Sequence, residues 1–118
     1  MRLIIAGTRT LDVADDEITR AIADMGRVSE VVSGTCAGPD RAGECWAARY
    51  GVPVTRFAPD WQGRGLRAGP ERNEAMAAYA DALLAFWDGR SAGTRDMIKR
   101  ARAHALRVHV VQMRGPAE

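Results

Sequence analysis

Apolar residues fall into five short blocks, separated by stretches in which they recur at helical spacing. The blocks are "RLIIA" (2–6), "EVVS" (30–33), "VPVTRF" (52–57), "DALLAFW" (81–87) and "LRVHVV" (106–111). Each is the length of a strand, and the first is apolar from Leu3 to Ala6, as in a strand covered on both faces. Between the first two blocks, Ile18, Ala21, Ile22 and Met25 follow the i, i+3, i+4, i+7 stripe. This predicts a helix from Val13 to about Met25, with Asp12 as N-cap and Gly26 as terminator. Pro39 suits the first turn of a helix that reaches Tyr50 and stops at Gly51. Pro70 opens a third, with Ala75, Met76 and Tyr79 on one face, after a long loop "APDWQGRGLRAG" (58–69). A fourth runs from about Thr94 to Ala105 and turns Met97, Ile98 and Ala101 inward. The order β-α-β-α-β-α-β-α-β with short connections predicts an α/β fold: about five parallel strands between two helix layers.

Length, charge and cysteine usage narrow this picture. A chain of 118 residues suits one domain, here 1–112 with a tail at 113–118. No apolar run approaches the ~20 residues of a membrane span, and "MRLIIAG" is interrupted too soon for a signal peptide, so a cytoplasmic protein is expected. The formal net charge of +2 and the lack of an aromatic series argue against a nucleic-acid binder, single-stranded DNA included. Of the 17 basic residues only Lys99 is a lysine. Arginine's planar fork suits phosphates, although a coding bias toward arginine gives the same count. Cys36 and Cys45 lack C-x-x-C spacing, and His104 and His109 stand in no ligand pattern, so no metal is expected.

The candidate chemistry lies in the loops that lead from strands into helices. In parallel sheets such loops sit on the carboxyl edge, where ligands bind near the point at which strand order reverses. Three are glycine-rich: "GTRT" with Gly7, Thr8 and Arg9; "SGTCAGPD" with Ser33, Gly34, Thr35 and Asp40; and "DGRSAGT" with Asp88, Gly89, Ser91, Gly93 and Thr94. Glycine lets backbone N–H groups approach an anion, and the helix that follows points its positive end at the same place. Tight turns also need glycine for purely structural reasons, and Thr94 serves equally as a helix N-cap. The stretch "APDWQGRGLRAGPERN" (58–73), the long loop with the helix start that follows it, adds Asp60, Trp61, Arg64, Arg67, Gly69, Arg72 and Asn73. There Trp61 can stack on a base and the arginines can bind phosphate; read as structure, Trp61 is a plug and the arginines are solvated. Neither the Walker pattern nor G-x-G-x-x-G occurs, so neither triphosphatase nor dinucleotide redox chemistry is supported and no cofactor is called for.

Taken together, "GTR", "SGTCAGPDRAGECWA", "APDWQGRGLRAGPERNEAM" and "ADALLAFWDGRSAGTRDMI" resemble the small Rossmann-like domains of the SLOG superfamily, in its YspA-type branch related to YpsA. The resemblance spans about residues 3 to 105. It implies a nucleotide or nucleotide-derived ligand, such as a mononucleotide or an ADP-ribose type, bound over the strand ends by a sensor or sequestering domain. It also implies a homo-oligomer. Asp40 or Asp88 would then accept from ribose hydroxyls. The superfamily includes the LOG-type phosphoribohydrolases, which suggests the alternative of N-glycoside hydrolysis of nucleoside 5′-monophosphates. Under that alternative Arg72 falls at the catalytic arginine, Gly93 and Thr94 serve the phosphate, and Asp88, Asp60 or Asp96 supplies a carboxylate. The chain departs from the LOG pattern where Arg90 and Ser91 replace a glycine pair. Met97 stands where those enzymes carry a glutamate, and a thioether cannot stabilise an oxocarbenium-like state.

Overall fold

A computed structural model describes residues 1–114; of the tail expected at 113–118, residues 115–118 lie outside the described residues. Five strands form one parallel sheet: β1 (Arg2–Gly7), β2 (Glu30–Ser33), β3 (Val54–Arg56), β4 (Ala82–Trp87) and β5 (Arg107–Gln112). Their order is β3-β2-β1-β4-β5, so the chain winds outward from β1 to one edge and then returns to build the other. Strand order therefore reverses between β1 and β4, where Leu3 pairs with Ala82 and Gly7 with Phe86.

Apolar side chains leave both faces of the sheet. On one face Leu3, Ile5, Val31, Leu84 and Phe86 pack against the helices α1 (Asp15–Ile22) and α2 (Pro39–Arg49) through Ile18, Ile22, Trp46 and Ala47. On the other, Ile4, Val32, Leu83 and Ala85 meet Met76, Ala77, Met97, Ile98 and Ala101. Those partners come from two further helices, labelled here α4 (Ala68–Tyr79) and α5 (Ala92–Ala103), with the four-residue α3 (Trp61–Arg64) preceding α4. Each fully buried Leu, Ile or Phe contributes about 1.5–3 kcal/mol, and the doubly covered β1 and β4 supply six of the twelve largest fully buried side chains.

The helix ends differ from expectation in instructive ways. α1 begins at Asp15 with Ala14 as N-cap, not Asp12; alanine has no capping side chain, and the Glu17 carboxylate accepts the Ala14 N–H instead, at 3.2 Å. The helix ends at Ile22, short of Met25. Residues 58–69 do not form an open loop. The Asp60 carboxylate caps α3 by accepting from Gly63 N–H at 2.9 Å, a 3₁₀ turn (Gly65–Arg67) follows, and α4 starts at Ala68, so Pro70 lies inside its first turn. α5 starts at Ala92, and its N-cap is Ser91, whose hydroxyl accepts from Thr94 N–H at 3.3 Å.

Candidate functional site

The reversal of strand order opens a crevice at the carboxyl ends of β1 and β4, and its two walls are tied by side chains. Thr8 Oγ1 donates to Asp88 Oδ1 at 3.0 Å and accepts from Asp88 N–H at 3.2 Å. The same Oδ1 accepts from Arg90 N–H at 2.8 Å and Ser91 N–H at 2.9 Å. Those backbone donors, Ser91 foremost and then Arg90, hold the Asp88 carboxyl below the usual range. Gly7 sits where the walls come closest: a Cβ there would lie 2.2 Å from the Phe86 carbonyl oxygen.

Beside this tie is a cleft of about 80 Å³, lined by Gly7 and Arg9 after β1, Cys36 and Asp40 after β2, Arg72 and Asn73 on α4, and Ser91, Gly93 and Thr94 at the start of α5. Its floor is Ala6, Met76 and Met97. That volume holds a group the size of an oxyanion and is well below the ~300 Å³ of a pocket that swallows a whole small molecule.

The cleft is two-ended. At one end Arg72 reaches across from α4: Nη1 donates to the Gly34 carbonyl and Nε to Asn73 Oδ1 at 2.9 Å. Asn73, buried, donates from Nδ2 to the Gly93 carbonyl at 3.3 Å and to Asp96 at 2.9 Å, so the arginine and the first turn of α5 are held as one unit. That turn offers N–H groups at the positive end of a helix. At the other end Asp40, only 4% exposed, accepts from Cys36 N–H at 3.2 Å. Burial pushes its carboxyl up to about 6, against the downward pull of the Cys36 N–H, the Arg72 charge and the Gly7 N–H. Gly34 lets the two ends approach: a Cβ there would lie 2.7 Å from Arg72 Nη1 and 2.8 Å from Asp40 Oδ2. Thr35 follows with φ at 68°, a strained value for a β-branched residue, held by its N–H bond to Ser33 Oγ at 3.1 Å.

Among known proteins, the family model described as "YAcAr: YspA, cpYpsA-related SLOG family" matches residues 1–63. The "Gene 61 protein" of Mycobacterium phage D29 is 33% identical over 120 residues, covering 91% of this chain and 93% of that protein. The chain belongs to the YspA, cpYpsA-related SLOG family. No solved structure matches. Membership in this SLOG family points to a nucleotide-related function.

In this SLOG domain the residues singled out from sequence divide into three groups. Gly7, Arg9, Asp40, Arg72, Asn73, Ser91, Gly93 and Thr94 line the cleft together. Thr8, Ser33, Gly34, Thr35, Asp88 and Gly89 stand behind it and shape its loops. Ser33, for instance, is fully buried and donates to Glu44 at 2.6 Å, and Gly89 turns at φ 83° against Gln112. Trp61, Arg67 and Gly69 lie away from it at the α3–α4 junction, where Trp61 stands over Gly69, half exposed. The alternative carboxylates are placed elsewhere as well: Asp60 caps α3, and Asp96 binds Asn73 and Arg100. Sequence reasoning missed Cys36 as a cleft residue, although it lies inside "SGTCAGPD", and Met76 as part of the floor. Among the described residues no group of three or more His, Cys, Asp or Glu side chains is placed to hold a metal ion, and no helix is long and apolar enough to cross a membrane.

Proposed function

We propose that this domain binds a phosphate-bearing, nucleotide-derived small molecule across the β1/β4 crevice. The observation that carries the reading is that Arg72, the first turn of α5 and the buried Asp40 face one 80 Å³ cleft at the point where strand order reverses. The phosphate sits at the Arg72 end, on N–H groups near Gly93 with the Ser91 and Thr94 hydroxyls beside them. A sugar hydroxyl donates to Asp40. The base lies outside, toward Arg9 and the solvent, because the cleft has room for the ligand's end alone. Asp88 is occupied by three donors from its own surroundings, which leaves Asp40 as the sugar's acceptor. A sensing or sequestering role fits a domain of this kind. Mass spectrometry of small molecules retained on the purified protein is expected to find a nucleotide or ADP-ribose derivative. Arg72→Ala is expected to weaken such a ligand by about 1.5–3 kcal/mol in calorimetry, the worth of charge-assisted bonds; unchanged affinity would remove Arg72 from the site.

One observation favours glycosidic cleavage as a second reading. Asp40 is a cleft carboxyl whose pKa of about 6 suits acid–base work near neutrality. Met97, by contrast, is buried in the floor with no carboxylate to offer. Base release from nucleoside monophosphates that disappears in Asp40→Asn would establish catalysis; no release from the wild-type protein leaves binding alone.

A further inference from the structure

The modest total charge conceals a polarised molecule. Residues 89–114 hold seven arginine or lysine side chains and one acid, Asp96, a net of +6, whereas the rest of the chain sums to −4. The fold gathers this segment into one edge, α5 with the edge strand β5. On the exposed side of α5, Arg95, Lys99 and Arg102 recur at i, i+4 and i+7 and so form a single row, each about 5–6 Å from the next. Among the described residues none of the three has an ion pair, in contrast to Arg100, which binds Asp96 and Glu74. The row borders a groove of about 220 Å³ whose apolar wall is Trp87 and Ile98. The Arg95 guanidinium lies over the Trp87 ring, 5.7 Å from its centre.

We propose that this edge, away from the nucleotide cleft, binds single-stranded nucleic acid. A regular row of unpaired cations matches a polymer with one negative charge per unit, and a guanidinium on an indole is a platform on which unpaired bases stack. A duplex keeps its bases inside and could use only the charges. A second copy of this chain would bring like charges face to face, which disfavours the homodimer here. The near-neutral total and the lack of an aromatic series describe the chain as a whole, whereas the phosphate backbone responds to local charge, and one indole suffices for a first stacked base.

The test is fluorescence anisotropy of a labelled oligothymidylate of about 20 nucleotides with the full chain. Binding with a dissociation constant of about 10⁻⁴–10⁻⁶ M or tighter is expected at low salt, with log K falling against log salt at a slope of about −2 for three phosphate contacts. The triple variant Arg95→Glu, Lys99→Glu, Arg102→Glu should lose binding at least tenfold. The neutral triple variant to Gln, gentler on the fold, should fall between it and the wild type. Circular dichroism checks that each variant is folded. Absence of wild-type binding at about 50 mM salt, or undiminished binding by both folded variants, would overturn the proposal. Competition by polyglutamate or by duplex DNA as effective as that by unlabelled oligothymidylate would also overturn it, since the edge would then take any polyanion.

Discussion

The glycines of the cleft do opposite jobs, and single methyl groups separate them. At Gly93 a Cβ meets nothing within 4 Å and the backbone is ordinary helix, so Gly93→Ala is expected to stabilise the fold by about 0.5–1 kcal/mol. The same methyl narrows the approach to the first turn of α5. Thermal unfolding should therefore rise while affinity for a phosphate-bearing ligand falls; a gain in both would place the ligand elsewhere. At Gly34 the methyl strikes Arg72 and Asp40, and Gly34→Ala is expected to cost about 1–3 kcal/mol. Asp40 carries a pH signature. Its folded pKa of about 6 lies above the unfolded value of 3.8, so the folded state holds a proton that the unfolded chain has released between those values. The stability it contributes is fully present below about pH 4 and is lost as the pH rises to 6. Comparing wild type with Asp40→Asn by chemical denaturation should show that loss, about 2–3 kcal/mol at most, in the wild type alone. Which glycine was a turn and which a cradle was not legible from the sequence, because spacing gives each the same "GT" or "GPD" signature. Spacing also gave Asp88 and Asp40 equal standing, and only the three donors converging on Asp88 part them.

At the scale of elements, what was legible were the blocks whose apolar period is unambiguous. β1, β2 and β4, buried on both sides, and α2, opened by Pro39 and followed by Gly51, stand where their pattern puts them, within a few residues. What was not legible is short-range and polar. α3 is four residues long, too brief for any period, and depends on the Asp60 cap. The start of α1 relies on Glu17 reaching back to a neighbouring amide, which masks the absence of a cap at Ala14. The coupling of α4 to α5 is also invisible in the chain, since Asn73 and Gly93 are twenty positions apart. Removing that coupling is a test at this scale. Asn73→Ala leaves the Gly93 carbonyl, Asp96 and Arg72 each short of a partner and is expected to destabilise by about 1–3 kcal/mol. Ligand affinity should fall along with stability, because Arg72 and the α5 turn lose their common anchor. Full affinity in the folded variant would show that the two walls are positioned independently.

At the scale of the whole molecule, the sheet is strongest in the middle and weakest at its rims. β1 and β4 are buried on both sides, β3 has three residues with none fully buried, and β5 is half-buried along most of its length. Native-state hydrogen exchange is expected to show the slowest amides, at the global unfolding limit, in Ile4–Ala6 and Leu83–Phe86, and the fastest strand amides in Val54–Arg56. Equal protection across all five strands would mean that the rims do not open separately. The pairing of β1 with β4 also has a consequence for how the protein comes into being. Thr8 and Asp88 are joined across 80 positions, so a nascent chain that has delivered its first three strands still lacks the partner that completes the crevice. On the proposed reading, ligand recognition would switch on in one late step of synthesis, once β4 has slotted in beside β1 and the start of α5 has followed it, and a shorter fragment would not compete for the same molecule.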